Sequence, residues 1–138
     1  MRMAYLVMAH EDRVGLEQLL AALLPPGADD IAIVHVDAGS ALWRELRGSA
    51  LTNDSRVHLL PDPVRVIWGH WSQVEAARRL IARALELGCD YAHTLSGVDW
   101  PVASRDAILA DIAQAPSGAC FAEAIALEQE ERMQQYRF

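Results

Sequence analysis

The order of the apolar runs constrains this chain more than any other feature. Residues 4–9 are compactly apolar, as expected of a buried strand. Asp12 is placed to cap a helix over residues 14–24, where Leu16, Leu19, Leu20 and Leu23 recur at helical spacing. Pro25-Pro26-Gly27 ends it. Ile31–Val36 is a second strand, rich in β-branched residues, and Ser40 precedes a short helix, Ala41–Leu46. Residues 56–60 read as a third strand, Pro61-Asp62-Pro63 as a rigid turn, and residues 64–67 as a short extended piece. Ser72-Gln73-Val74-Glu75 has the form of a capping box opening the strongest helix. Its expected apolar face is Val74, Ala77, Ile81, Ala84 and Leu85, and Gly88 is its expected stop. Residues 91–95 read as a fourth strand, followed by the loop 96–101. Ser104 caps a helix over Arg105–Gln114, which Pro116-Ser117-Gly118 breaks, and residues 119–122 read as a fifth strand.

This alternation predicts an α/β fold: one domain over residues 1–138, with a mainly parallel sheet and helices on both faces. In such sheets ligands bind beyond the carboxyl ends of the strands. The polar residues that follow strands therefore carry the site prediction. They are His10 after the first strand, Asp37 after the second, and Ser96 with Asp99 after the fourth.

Composition limits what such a site can take. A hydrophobic fraction of 52% supplies a core. No apolar run approaches the roughly 18–20 residues that span a bilayer. The run at residues 4–9 is short and leads into His-Glu-Asp-Arg rather than a cleavage site, so it is not read as a signal peptide. A cytoplasmic protein, at most peripheral to a membrane and without a transmembrane segment, is expected. The net charge of −7 argues against a nucleic-acid surface, which needs a Lys/Arg stripe. A few arginines and backbone N–H groups can still hold an anionic nucleotide. Cys89 and Cys120 lack metal-ligand spacing and are expected to be buried free thiols. The Arg- and Ala-rich composition suggests a high-GC bacterial source.

Several chemistries are disfavoured. The turn after the first strand reads His10-Glu11-Asp12-Arg13-Val14-Gly15, not G-x-G-x-x-G, and no Walker A loop is present. Ser96-Gly97 lacks the G-x-S-x-G elbow of a hydrolase. His10, His35, Asp37 and Asp99 match no strong metal spacing. Asp37 could accept from a ligand N–H or simply open a turn before Ala38-Gly39. His35 shares its side of the strand and reads as a satisfied sheet histidine. Trp68-Gly69-His70-Trp71 could line a site or pack the core, and Arg65 could meet a diphosphate or solvent. Asp99-Trp100-Pro101 resembles a D-x-D motif whose second carboxylate is missing.

Four blocks stand in order: residues 4–10, residues 34–37, residues 66–76 and residues 95–101. They read AYLVMAH, VHVD, VIWGHWSQVEA and LSGVDWP. Together they resemble the core-2/I-branching β-1,6-N-acetylglucosaminyltransferase family, which also contains the peptide O-xylosyltransferases. The resemblance implies the Rossmann-like N-terminal half of a GT-A fold. It implies a UDP-sugar donor, UDP-N-acetylglucosamine above others. Transfer would go with inversion, and without a bound metal or other cofactor, to a hydroxyl of a glycan or glycolipid acceptor. It places Val7, His10 and Asp37 toward the uridine, Arg65, Trp68 and Gly69 near the nucleotide, and Ser96 and Asp99 near the diphosphate or donor sugar. The family's catalytic base is a Glu in a Pro-Asp-Glu run, which this chain lacks through Phe138. Glu123, Glu128, Glu130 and Glu131 stand outside such a motif and read as a solvated acidic run. The expectation is a chain truncated on its C-terminal side, with the base beyond Phe138 and no transfer activity by itself. The alternative is a non-catalytic nucleotide-binding or interaction module.

Overall fold

The computed structural model describes residues 1–47 and 49–121. Residues 1–101 form one compact unit, and a second begins at Val102. The first unit contains strands β1 (Met3–Ala9), β2 (Ile31–Val36), β3 (Val57–Leu59) and β4 (Tyr91–Ser96), with helices α1 (Arg13–Leu23), α2 (Ala41–Leu46) and α3 (Trp71–Glu86). All three strand pairings are parallel, and the sheet order is β3-β2-β1-β4. The fold is α/β with a parallel sheet, as the alternation predicts, and Rossmann-like, as the resemblance implies.

The order has a consequence for ligand binding. The chain steps outward from β1 through β2 to β3, then returns to place β4 on the other side of β1. Right-handed crossovers put α1 and α2 on one face and α3 on the other. The reversal falls between β1 and β4, and parallel sheets of this kind take ligands beyond the carboxyl ends of the strands at such a switch point.

Both faces of β1 and β2 are covered. Ala4, Leu6, Ile31 and Ile33 pack with Leu60 against Leu80 and Ala84 of α3. The alternate residues Met3, Tyr5, Val7, Ala32, Val34 and Val36 are buried as well. Right-handed crossover brings the buried leucines of α1 (Leu16, Leu19, Leu20 and Leu23) to that side. Arg56 ties the end of α1 to the start of β3. It donates to the carbonyls of Leu24, Pro25 and Ala28 and to the Asp54 carboxylate.

The caps read from sequence form at three helices. Asp12 accepts from Gly15 N at 2.9 Å, with the Asp12 backbone in the left-handed region at φ 51°. Ser40 Oγ accepts from Trp43 N at 3.0 Å. In the second unit Ser104 Oγ accepts from Ala107 N at 3.2 Å, opening α4 (Arg105–Gln114). Gly88, at φ 66°, follows the last turn of α3 as expected.

Four expectations are corrected. α3 starts two residues earlier than its capping box requires, so Ser72 lies inside the first turn and His70 is the cap, its Nδ1 accepting from Ser72 N at 3.3 Å. Freed from capping, the Ser72 hydroxyl accepts from Ile67 N at 2.8 Å, while Glu75 pairs with Arg78 and Arg79. Those two guanidiniums hold the Glu75 carboxyl down at about 2. The inward face of α3 is Ser72, Ala76, Leu80 and Ala84, whereas Val74, Ile81 and Leu85 are exposed. Residues 119–121 form no strand, and residue 122 lies outside the described residues. Both cysteines are free as expected, but only Cys89 is half-buried; Cys120 is exposed. Burial pushes the Cys89 thiol up.

Candidate functional site

Register brings the predicted residues to one edge. Ala9 pairs with Val36 and Met8 with Ser96, so β1, β2 and β4 end nearly level. The ladder continues past the strand ends: Asp37 N donates to Ala9 O at 2.9 Å, and Gly97 N donates to Met8 O at 2.8 Å. His10, Asp37 and the turn at residues 96–99 therefore stand side by side at the carboxyl edge of the sheet.

The tight approach of β4 to β1 depends on Gly97. A Cβ there would lie 2.8 Å from Ala9 Cβ and 3.1 Å from its Cα. A side chain at position 97 would collide with Ala9, so the glycine lets the two strand ends lie this close.

The β4 exit is shaped by its own polar residues. Ser96 N donates to Asp99 Oδ2 at 2.7 Å, and Asp99 N donates to Ser96 O at 3.1 Å. Ser96 Oγ accepts from Val98 N at 3.4 Å. One Asp99 oxygen is thus committed to the turn, which holds the carboxylate just beyond the end of β4.

On the other side of β1, Asp37 both opens a turn and grips a neighbouring segment. Its Oδ1 accepts from Gly39 N and from Val66 N, each at 2.9 Å. Among the described residues none donates to Oδ2. His35, two residues earlier and 1% exposed, accepts from Val64 N through Nε2 at 2.9 Å. Ala38 N completes the grip by donating to Val64 O at 3.1 Å. Residues 64 and 66 are thereby stitched to the end of β2, with Arg65 between them. Its Cγ and Nε would each lie 3.2 Å from a Cβ on Gly39, so the side chain runs across this glycine. No described residue accepts from its exposed guanidinium.

The same segment is fastened at its far end by α3. Ser72 Oγ accepts from Ile67 N, and Gln73 Oε1 accepts from Gly69 N at 3.0 Å. Gly69 turns at φ 73°, and Trp68 is left 70% exposed beside it. The loop that carries Arg65, Trp68 and Gly69 is thus held by β2 on one side and by the first turn of α3 on the other. Sequence reading missed this role for His35, Ser72 and Gln73. The spacing of His35 and Asp37 on one side of β2 was the available signal.

Not every predicted residue reaches the surface. Val7 is wholly buried in β1 and stands behind the edge, backing it rather than lining it. His10 is exposed and lies 3.5 Å from Glu11. Among the described residues, His10, His35, Asp37 and Asp99 form no cluster of three able to hold a metal ion. Glu123, Glu128, Glu130 and Glu131 lie outside the described residues. Two surface grooves lie away from this edge. One, of ≈ 510 Å³, runs between β3 and α3 past His58, Arg78, Arg79 and Arg83; another, of ≈ 570 Å³, is lined by Arg2, Arg56 and His58. Arg78, Arg79 and Arg83 are paired with Glu75 or Glu86, which leaves the first groove an ion-pair network.

His35 links the grip to pH. Burial pushes its pKa below the ordinary value, Arg79 adds to that, and Asp37 opposes it. Protonation would convert Nε2 from an acceptor into a donor facing Val64 N. The neutral form is the folded-state form, so its contribution to stability is complete above the ordinary histidine value of about 6.5 and is lost as pH falls toward the lowered one. Burial also lowers His58, with Arg83 and Arg2. The expected result is a melting temperature that falls between about pH 7.5 and about pH 5, with a smaller fall in His35→Gln, whose residual slope reports His58 and the carboxylates. Equal slopes in both proteins would remove His35 from this account.

No curated protein matches the chain. The sequence model described as Core-2/I-Branching enzyme matches residues 3–137, a span that includes β1, the β2 end, the 64–76 segment and the β4 exit. The chain belongs to the Core-2/I-Branching enzyme family, a family of glycosyltransferases.

Proposed function

We propose that the carboxyl edge of this sheet binds a UDP-sugar donor, UDP-N-acetylglucosamine above others, for inverting transfer to a hydroxyl of a glycan or glycolipid without a bound metal. The observation that carries this reading is the convergence of His10, Asp37, Arg65, Ser96 and Asp99 on one strand edge in a chain of this family. Asp37 Oδ2 is available to accept from the nucleoside. Arg65 offers a guanidinium suited to bidentate contact with phosphate oxygens. Trp68 adds an exposed apolar face beside them, and Val7 stiffens the strand behind. Asp99 and Ser96 face the donor sugar beside Gly97. In this reading the positive charge that a metal would supply to the diphosphate comes from arginine and backbone N–H groups. The fold that carries this site corresponds to the nucleotide-binding half of a GT-A enzyme.

The test is calorimetric titration of the 138-residue chain with UDP, UDP-N-acetylglucosamine and UDP-xylose, each with and without EDTA. Binding of UDP that survives chelation, and is lost in Asp37→Ala, is expected. Asp37→Asn keeps an acceptor for Gly39 N and Val66 N, so its fold should persist while nucleotide affinity falls. UDP binding that disappears with EDTA overturns the metal-free reading, and no binding of any uridine nucleotide overturns the donor-site reading.

A further inference from the structure

The grip on residues 64–66 is more elaborate than a loop needs. A buried histidine, a carboxylate and a backbone N–H, all from the end of β2, hold alternate backbone positions of one short segment. The only side chain that this stitching leaves between them is Arg65. Val64 and Val66 turn their backbone polar groups toward the end of β2, and the intervening Arg65 side chain runs across Gly39 just beyond it. Gly39 has no Cβ to obstruct that path, and a Cβ would stand 3.2 Å from Arg65 Cγ and Nε. An arginine stem has several rotatable bonds and loses much rotamer freedom when ordered, so a guanidinium aimed in advance binds an anion better than a loose one.

We infer that His35 is a positioning residue: by holding Val64 it aims the Arg65 guanidinium over the carboxyl edge of the sheet, where it meets the diphosphate of the nucleotide. This rests on the donor-site reading above and deepens it, since it gives the buried His35 a task in binding the anionic part of the ligand. His35 touches no ligand itself. Asp37 acts on both parts, by gripping Val66 and by accepting from the nucleoside. His35 acts on the diphosphate part alone.

The experiment compares UDP with uridine, which lacks the diphosphate, by titration of the wild-type chain and variants. His35→Leu removes the acceptor, and His35→Gln retains an acceptor oxygen near the position of Nε2. Val64→Pro removes the donor from the other partner without altering the buried histidine, so the test does not depend on one core substitution. Thermal melts establish that each variant is folded. His35→Leu and Val64→Pro should weaken UDP about tenfold, the scale of one charge-assisted hydrogen bond, and leave uridine unchanged. His35→Gln should restore most of the UDP affinity. In an Arg65→Ala background His35→Leu should have no further effect, since a residue that acts through another loses its effect once that other is gone. The inference is overturned if folded His35→Leu and Val64→Pro keep the wild-type ratio of UDP to uridine affinity, or if His35→Leu still weakens UDP after Arg65 is removed. Wild-type chain that binds neither compound overturns the donor-site reading itself, and that titration alone reports it.

Discussion

Leu80→Ala should destabilise the protein by about 2–5 kcal/mol, and Ile81→Ala, one position along the same helix, by a small fraction of that. Leu80 is 1% exposed and packs with Ala4, Leu6, Ile31, Ile33, Leu60 and Ala84 beneath α3. Removing three carbons there forfeits their transfer free energy and leaves a cavity that a sheet pinned on both sides closes only in part. Ile81 is 45% exposed, so its truncation returns little buried surface to water. The contrast is sharp because periodicity alone selects the opposite ranking: Ile81 belongs to the apolar face expected from sequence, and Leu80 does not. Denaturant unfolding of the two variants, with m-values to verify that the denatured state is unchanged, measures the difference. Equal destabilisation would place the helix in a different rotation from the one described.

Gly97→Val should cost about 1–3 kcal/mol of stability and also damage nucleotide binding. Its first carbon alone would fall 2.8 Å from Ala9 Cβ and 3.1 Å from Ala9 Cα, and the latter is backbone in the middle layer of the sheet. Neither neighbour is the far end of a flexible side chain, so the strain is relieved only by moving the β4 exit away from β1. That movement stretches the bond from Gly97 N to Met8 O and carries Ser96 and Asp99 outward with it. The expected outcome is a lowered melting temperature together with weaker binding of UDP-sugar. UDP, whose predicted contacts lie with Asp37 and Arg65 on the other side of β1, should be affected less. Unchanged affinity for both ligands in a destabilised Gly97→Val protein would separate the β4 exit from the donor sugar.

These two substitutions also show which features the sequence could reveal. The caps at Asp12, Ser40 and Ser104 were legible because each is a local bargain between one side chain and a backbone N–H three residues on. The four strands were legible because each is a short contiguous run, mostly apolar, closed by polar or turn-forming residues. The capping box was not, although its letters were present. Ser72 found a better partner in Ile67, a contact set by the path of the incoming loop rather than by the helix. The site residues were named by a rule of topology, that polar groups after parallel strands collect at one edge, and the registers of β1 with β2 and β4 bring them level. The grip of His35 and Asp37 on residues 64 and 66 spans 29 positions in the chain, and no spacing rule reports a contact of that range.

What the sequence by itself determined was the succession of elements and hence the fold class, together with the four motif blocks that carry the family. Tertiary structure decided which side of α3 turns inward, and the reason is distance. α3 carries two stripes nearly opposite each other, one of larger side chains at Trp71, Val74, Ile81 and Leu85, and one mostly small at Ser72, Ala76, Leu80 and Ala84. Hydrophobic pattern favours the first. The sheet takes the second, because small residues let the helix come close enough to pack on Ala4, Leu6, Ile31 and Ile33 without voids. Tertiary structure also placed β4 beside β1 instead of beside β3. That single reversal of strand order puts the switch point at the ends of β1 and β4, where Gly97 lets the strand ends lie close and Ser96 and Asp99 follow beside the end of β1.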